Sequence, residues 1–438
     1  MTQEVDERMD QTDEQVAVLA GVDGGQDSSF DRSMEELQGL AQACGIRVAS
    51  VLVQKRSRPS MKHYLGEGKI EEMRQEMERT GAGLAVFNDE LSPSQIRNLE
   101  EALECTVMDR SFLILDIFAS RARTREARLQ VEIARLNYLM PRLVGRHSHL
   151  SRQVGGVGTV TRGGGETKLE LDRRQIEERI HRLNRALTRL VRSRQVQRRD
   201  RSRQALPVVA LVGYTNAGKS TLLNRLLEEG AGGNDTKAVE TDDRLFATLQ
   251  TAVRRTEFAS GRPVLLTDTV GFVDRLPHHL VKAFRSTLEE VGEADLLLHV
   301  VDYSNPDVEK QIRVTEDTLA RIGVENIPVV YVFNKMDLRP DEEPMIDGEY
   351  LFVSARSGEG IGALRELMEQ KLYGEAVRCR MLIPFDRGDL VSRFQEEGVV
   401  LDMRYVAEGT ELLMELSVSE RDRFSEYLTD TGRGPSGE

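Results

Sequence analysis

Residues Gly213 to Thr221 read GYTNAGKST: two glycines separated by four residues, then Lys and Ser. This pattern constrains the chain more than any other, because it specifies a turn that wraps backbone N–H groups around phosphate. The apolar run Val208 to Val212 predicts a buried strand ending just before it. Leu222, Leu223, Leu226 and Leu227 carry helical spacing just after it, which is the strand–loop–helix context a phosphate loop requires. Lys219 is expected to reach the β- and γ-phosphates of a nucleotide, and Ser220 to hold Mg²⁺. By chance the pattern arises on the order of once in a hundred chains of this length, so an ordinary Gly-rich turn is the weaker reading.

Two further motifs follow buried strands. Asp268-Thr269-Val270-Gly271 comes after the run at Val264 to Leu266, where a carboxylate can enter the Mg²⁺ shell and a glycine N–H can sense the γ-phosphate. Asn334-Lys335-Met336-Asp337 follows Val329 to Phe333. Its Asp337 is expected to accept from N1–H and the 2-amino group of guanine, which adenine cannot satisfy. Ser354-Ala355, after the strand at Tyr350 to Val353, is expected to offer a backbone N–H to the guanine carbonyl. The contacts of Tyr214, Thr215, Asn216, Ala217 and Gly218 complete the expected nucleotide site, with GTP and GDP as ligands. Phe272 stands where many small GTPases carry a water-orienting Gln, so hydrolysis by the chain alone is expected to be slow; a plain core aromatic is the equal alternative. His278 and His279 read as surface residues at a helix start, and the other histidines show no metal-ligand spacing.

The length of 438 residues calls for several domains. The pattern divides into an acidic tail (1–13), a small α/β domain (14–120), a basic helical segment (121–203), the phosphate-loop domain (204–374), a small α+β unit (375–430) and a tail (431–438). In the first domain, strands are expected at Val16 to Val22, Ile46 to Val53 and Leu84 to Phe87. Ser92-Pro93 with Gln95 marks a helix start. This domain shows no phosphate loop of its own.

The net charge of −13 conceals an asymmetry: Arg121 to Arg203 holds 22 Lys plus Arg against 8 Asp plus Glu. Two seams spaced 4-3-4-3 run through it, Leu129, Ile133, Leu136, Met140, Leu143 and Ile176, Ile180, Leu183, Leu187, Leu190. They predict an antiparallel coiled-coil hairpin, with Pro141 ending its first helix and the second starting near Asp172. Between them lies a Gly-rich connection bearing Arg146, Arg152, Arg162 and Lys168, suited to phosphate or unstacked bases. The bland alternative is a solvated helical spacer. The acidic start is unlike a signal peptide, and no run is long enough for a membrane span, so a cytoplasmic monomer is expected, with peripheral membrane association compatible with it. Cys44, Cys105 and Cys379 read as reduced thiols.

Beyond these motifs, YLGEGKIEE (64–72), ELSPSQIRNLE (90–100), DRSFLILDIFASRA (109–122), LQVEIARLNYLMPRL (129–143), GGGETKLELDRR (163–174) and DTVGF resemble the HflX family of translation-factor-class GTPases along almost the whole chain. The resemblance implies a P-loop GTPase domain with a mostly parallel sheet, preceded by the α/β domain and hairpin and followed by the α+β unit. It further implies hydrolysis of GTP at a Mg²⁺ site completed by a threonine. Thr248, in LFATLQ, is preferred over Thr236, Thr241 and Thr251, partly on this resemblance. The family segment resembles LFATLDPTTR, whereas here the continuation is QTAVRR; the Gly-rich loop departs as well. Implied partners are the large ribosomal subunit and its RNA, with the N-terminal domain and hairpin near the peptidyl transferase region and stalled ribosomes split under stress. Family members have also been associated with adenine nucleotide at the N-terminal domain. A non-ribosomal RNA- or protein-binding switch is the competing reading; a metabolic P-loop kinase is disfavoured by the NKMD motif.

Overall fold

The computed structural model describes residues 15–25, 29–145, 164–201, 206–229, 246, 252–274, 291–324, 326–339, 350–374, 376–396 and 399–429. Two compact units emerge: 1–196 with 243–249 and 275–286, and the remainder.

In the first unit, β1 (Val16–Asp23), β2 (Arg47–Lys55), β3 (Leu84–Phe87) and β4 (Thr106–Asp109) form a parallel sheet in the order β2-β1-β3-β4. Its central strands are apolar at nearly every position, as a strand covered on both faces must be. One face packs on α2 (Glu67–Thr80) and α3 (Pro93–Leu103), where Val18, Ala20 and Phe87 meet Met73 and Leu99. α1 (Phe30–Ala43) and α4 (Arg110–Arg121) pack on one another, burying Leu37, Leu40, Leu113 and Ile117 completely. The helix start expected at Ser92 is a full capping box: Ser92 Oγ accepts from Gln95 N–H at 3.2 Å and Gln95 Oε1 from Ser92 N–H at 2.9 Å.

The basic segment supplies α5 (Arg125–Leu139) and α6 (Gly164–Arg201). Thr124 caps α5. Pro141 falls in a 3₁₀ turn, Met140–Gly145, directly after the helix, because its ring and missing N–H disfavour continuation. α5 buries more than the expected seam: Gln130, Val131, Ala134 and Tyr138 are covered along with Ile133 and Leu136, and α4 is among its neighbours. On α6 the seam residues Ile176, Ile180, Leu183, Leu187 and Leu190 are half-buried. Arg179 donates to Glu132 across the two helices at 2.7 Å. The start of α6 corrects the expectation of Asp172: the helix begins eight residues earlier, so Gly164 and Gly165 are helical. Glycine disfavours a helix by only about 1 kcal/mol, and no proline interrupts Gly164 to Asp172. Arg146, Arg152, Arg162 and the glycines from Gly155 to Gly163 lie outside the described residues.

In the second unit, β5 (Val208–Gly213), β6 (Ala252–Glu257), β7 (Pro263–Asp268), β8 (Leu296–Asp302), β9 (Val329–Asn334) and β10 (Tyr350–Phe352) form a sheet ordered β10-β9-β8-β5-β7-β6. All neighbours are parallel except β6 with β7. α7 (Lys219–Glu228) and α9 (Ile361–Tyr373) cover one face through Leu222, Leu226, Ile361 and Leu364. α8 (Val308–Ile322) packs against β5 and β8. The C-terminal part is an antiparallel sheet β11-β13-β12 (Ala376–Ile383, Gly409–Ser417, Val400–Val406) with α10 (Gly388–Glu396) and α11 (Val418–Arg423). Buried Arg262 donates to Glu415 O at 2.7 Å, tying β13 to the start of β7. α11 stops at Arg423, and a 3₁₀ turn, Ser425–Tyr427, follows.

Candidate nucleotide site

β5 ends at Gly213 and α7 begins at Lys219, so the loop between them turns inside the sheet's C-terminal edge. Glycine is required at both ends of that loop. A Cβ on Gly213 (φ +146°) stands 2.1 Å from Val300 O, and one on Gly218 (φ +89°) stands 2.2 Å from Asn334 Nδ2. The loop is tied to neighbouring segments: Asn334 Nδ2 donates to Ala217 O at 2.9 Å, and Thr215 N–H donates to Phe272 O at 2.7 Å. Asn216 takes a positive φ of 61° within the turn.

Lys219 is 7 % exposed and donates to Gly213 O at 3.1 Å and Tyr214 O at 2.7 Å, leaving a third donor on the ammonium. Burial pushes its pKa down to about 8, against the opposing pull of Asp268. A cation desolvated in this way has a strong demand for an anion. Gly271 is placed against it: a Cβ there lies 2.8 Å from Thr215 Cγ2 and 3.0 Å from Lys219 Nζ. The glycine of the DTVG motif and the phosphate-loop lysine therefore converge. Thr215 Oγ1 is buried with no hydrogen-bond partner among the described residues, a polar atom at the loop suited to a phosphate oxygen. Ser220 Oγ donates to Asp268 Oδ2 at 2.7 Å, which puts a hydroxyl and a carboxylate, the hard-oxygen donors suited to Mg²⁺, side by side. Thr269 and Val270 are buried, and Thr269 Oγ1 donates to Leu211 O at 2.6 Å. Thr221 is on the exposed side of α7.

The NKMD residues and Ser354-Ala355 form a second cluster. Asn334 Oδ1 accepts from Ala355 N–H at 2.9 Å, so one side chain links the phosphate loop to the segment after β10. Asp337 is exposed, and its Oδ1 accepts from Ser354 Oγ at 2.7 Å; that bond orients the carboxylate. Lys335 (φ +67°) pairs with Asp302 at 2.7 Å. Both amides expected to serve the guanine carbonyl, those of Ser354 and Ala355, have partners within the protein. The Ser354 N–H donates to Glu359 O at 2.9 Å and the Ala355 N–H to Asn334, because a buried amide at this turn must find a partner within the protein. The visible contribution of Ser354 is its hydroxyl.

Phe272 is 1 % exposed, and its N–H donates to Gly213 O at 3.1 Å. Its burial fits the reading of a core ring. Thr248, Thr236, Thr241, Thr251, His278 and His279 lie outside the described residues. Near Thr248, Phe246 is described; it is buried, and its ring meets Phe118 edge-on at 4.7 Å within the first unit.

Sequence reasoning passed over Asp302 and His299, and it placed Tyr214 at the nucleotide without its second contact. Asp302, which holds Lys335, ends the apolar run of β8 as Asp268 ends that of β7, and that parallel was the available signal. Tyr214 Oη accepts from Asp274 N–H at 2.7 Å, fastening the chain beyond DTVG. His299 is 2 % exposed, and burial, reinforced by the charge on Lys219, pushes it down to about 4; it is neutral at physiological pH, with nothing in its spacing to mark it. No cluster of metal-binding side chains occurs among the described residues, and among them no helix is long and apolar enough to cross a membrane.

Three family profiles match the chain: "GTP-binding GTPase N-terminal" over 31–119, "GTP-binding GTPase Middle Region" over 121–201 and "50S ribosome-binding GTPase" over 208–335. A protein of Caldanaerobacter subterraneus subsp. tengcongensis named GTPase HflX is 43 % identical over 91 % of this chain and 90 % of its own length. GTPase HflX of Escherichia coli K12 is 42 % identical over 87 % of this chain and 88 % of its own. That of Akkermansia muciniphila is 39 % identical over 98 % and 99 %. Among solved structures, a complex titled SsGBP and GDP matches at 22 % identity with a TM-score of 0.45, covering 82 % of this chain and 98 % of its own, so the assignment rests on the sequence relatives. With the phosphate loop, DTVG and NKMD motifs converging in space and relatives of this identity along nearly the whole length, the chain belongs to the HflX family of GTPases.

Proposed function

We propose that this GTPase binds the large ribosomal subunit and uses GTP to split or rescue stalled ribosomes under stress, with the ribosome accelerating hydrolysis. The observation that carries the RNA half of this reading is a row of unneutralised cations on α6. Arg173 and Arg174 are paired to Glu177 and Glu178, and Arg179 to Glu132. Arg182, Arg185 and Arg189, spaced along one helix face, are exposed and have no acidic partner among the described residues. A helix face that leaves its guanidinium groups unpaired is suited to a phosphate surface. The family profile over 208–335, described as a 50S ribosome-binding GTPase, supplies the same partner independently.

At the nucleotide, Lys219 exchanges its carbonyl contacts for the β- and γ-phosphates, and the α7 N-terminus and loop amides hold the remaining phosphate charge. Ser220, Asp268 and Thr248 would hold Mg²⁺, which when bound neutralises charge on the phosphates. Asp337 pairs with N1–H and the 2-amino group of guanine, and the guanine carbonyl competes with Asn334 for the Ala355 N–H. Since Phe272 has no group to orient water, the stimulating group is supplied by the ribosome or by ordering of this chain upon it.

The test is co-sedimentation of the full chain with purified large subunits at moderate salt, with a non-hydrolysable GTP analogue or GDP, together with GTP turnover with and without subunits. Association favouring the GTP form and a manyfold rise in turnover are expected. A chain that neither associates with subunits nor turns over faster in their presence contradicts the proposal and favours a switch with a different partner.

A further inference from the structure

The connection from β2 to α2 carries a second unneutralised set of cations, on a turn that the fold holds rigid. From Lys55 to Gly66 the chain reads KRSRPSMKHYLG, without a carboxylate. Lys55, Arg56, Arg58 and Lys62 are all exposed and have no acidic partner among the described residues. The adjoining helix α2 behaves in the opposite way. There Lys69 pairs with Glu72 at 2.8 Å, Arg74 with Glu71 at 2.7 Å and Glu78 at 2.6 Å, and Arg79 with Glu76 at 2.7 Å. Within one stretch, one set of cations is neutralised and the other is left unpaired.

The turn is pinned from several sides. Ser60 and Tyr64 exchange backbone hydrogen bonds of 2.7 and 2.9 Å, closing a tight loop over Met61, Lys62 and His63. From α3, Gln95 Nε2 donates to Ser60 O at 2.9 Å and Asn98 Nδ2 to Lys62 O at 2.8 Å. Gly66 N–H donates to Gln54 Oε1 at 2.9 Å. Beneath the turn, Tyr64 is buried with a positive φ of 65°; its hydroxyl donates to Asp89 and accepts from Val22 N–H at 3.2 Å. Of the carboxylates on adjoining segments, Asp89 accepts from Tyr64, and Asp23 accepts from Gly25 N–H at 2.8 Å. Met61 projects from the tip with 91 % exposure.

We infer that this turn is an RNA-binding element separate from the α6 arginines, in which Arg56, Arg58 and Lys62 engage phosphates and Met61 packs on an unstacked base. A preordered turn gives up little conformational entropy when it binds, and a thioether is an adaptable apolar contact for a flat ring. One apolar side chain at a tip is poorly matched to a lipid surface, which takes a whole apolar helix face. The inference rests on the ribosomal reading above, in that its probe is the large subunit.

The experiment measures binding of the full chain to purified large subunits across a salt series, for wild type and for Arg56→Ala/Arg58→Ala/Lys62→Ala, Arg56→Lys/Arg58→Lys and Met61→Ala. GDP binding and the melting temperature of each variant establish that the fold is kept. The triple variant is expected to bind about 10- to 100-fold more weakly, with the slope of log K against log salt reduced by about two to three. The double-Lys variant keeps the slope, and Met61→Ala loses affinity at an unchanged slope. A triple variant with wild-type affinity and slope overturns the turn's role while leaving the ribosomal reading intact. A wild type that fails to bind subunits overturns both. Loss of binding to phosphatidylserine vesicles with subunit binding retained reassigns the turn to membranes and overturns the RNA inference.

Discussion

Both units contain a wholly or mostly parallel sheet whose first strand lies beside a topological switch point, and they treat it in opposite ways. In the first unit the switch lies between β1 and β3, in the second between β5 and β8. Such a crevice at the C-terminal strand ends is where doubly wound sheets take ligands. At β5, Gly213 and Gly218 keep side-chain atoms out, and a desolvated Lys219 lies at the edge. At β1, Tyr64 fills the position: its hydroxyl bridges Val22 N–H and Asp89, and its ring lies edge-on to Phe87 at 5.4 Å. The same architecture thus gives a phosphate cradle in one unit and a packed plug in the other. What decides is whether the chain beside the switch point carries glycines and a buried cation or an aromatic ring with a polar end.

The largest effect that separates the two sites is expected from Lys219→Ala. GTP turnover should fall by on the order of 10²–10³ or more with the melting profile of the first unit unchanged; turnover at the wild-type rate breaks the comparison on the cradle side. Next is Tyr64→Ala, which removes a fully packed ring and should destabilise the chain by about 3–5 kcal/mol, read as a lowered denaturant midpoint. Tyr64→Phe should lose about 1 kcal/mol, and equal costs for the two would show that the ring is not what fills the crevice. Gly218→Ala comes third: the methyl displaces Asn334 from Ala217 O, and about 1–3 kcal/mol of GDP affinity should go with it, measured by titration calorimetry.

The smallest effect concerns protons. Lys219 is pushed down to about 8 in the free protein, and bound phosphates restore its charged form. The bound state therefore holds more protons above pH 8, and GDP binding there takes up a fraction of a proton and weakens as pH rises. Calorimetry in two buffers of different ionisation enthalpy reads this directly; proton release at pH 9 would reverse the sign.

Much of this was legible in the chain itself. The phosphate loop, DTVG and NKMD sit at the ends of apolar strands, and a period-two or continuous apolar run is a strong local signal. Ser92 and Gln95 encode their own cap. What was not legible depends on tertiary partners. β6 reads AVRRTE, too polar to announce a strand, and is made one by antiparallel pairing with β7. The helical start at Gly164 runs against glycine's propensity. Tyr64 belonged to a family-like stretch, yet nothing in YLGEG states that its hydroxyl reaches two strand ends. The roles of the Ser354 and Ala355 amides are likewise set by Glu359 and Asn334, residues that only the fold brings near.

We propose that the second unit reads guanine through Asp337, whose carboxylate accepts from Ser354 Oγ. The measurement is equilibrium binding of fluorescent GDP, ADP and xanthosine diphosphate to wild type and Asp337→Asn. Wild type should prefer GDP. In the variant, GDP should bind roughly 10- to 100-fold more weakly and xanthosine diphosphate should become the preferred ligand, since the introduced side-chain amide offers a donor where the xanthine carbonyl replaces the amine. A variant that keeps the wild-type order of GDP, xanthosine diphosphate and ADP would contradict the claim.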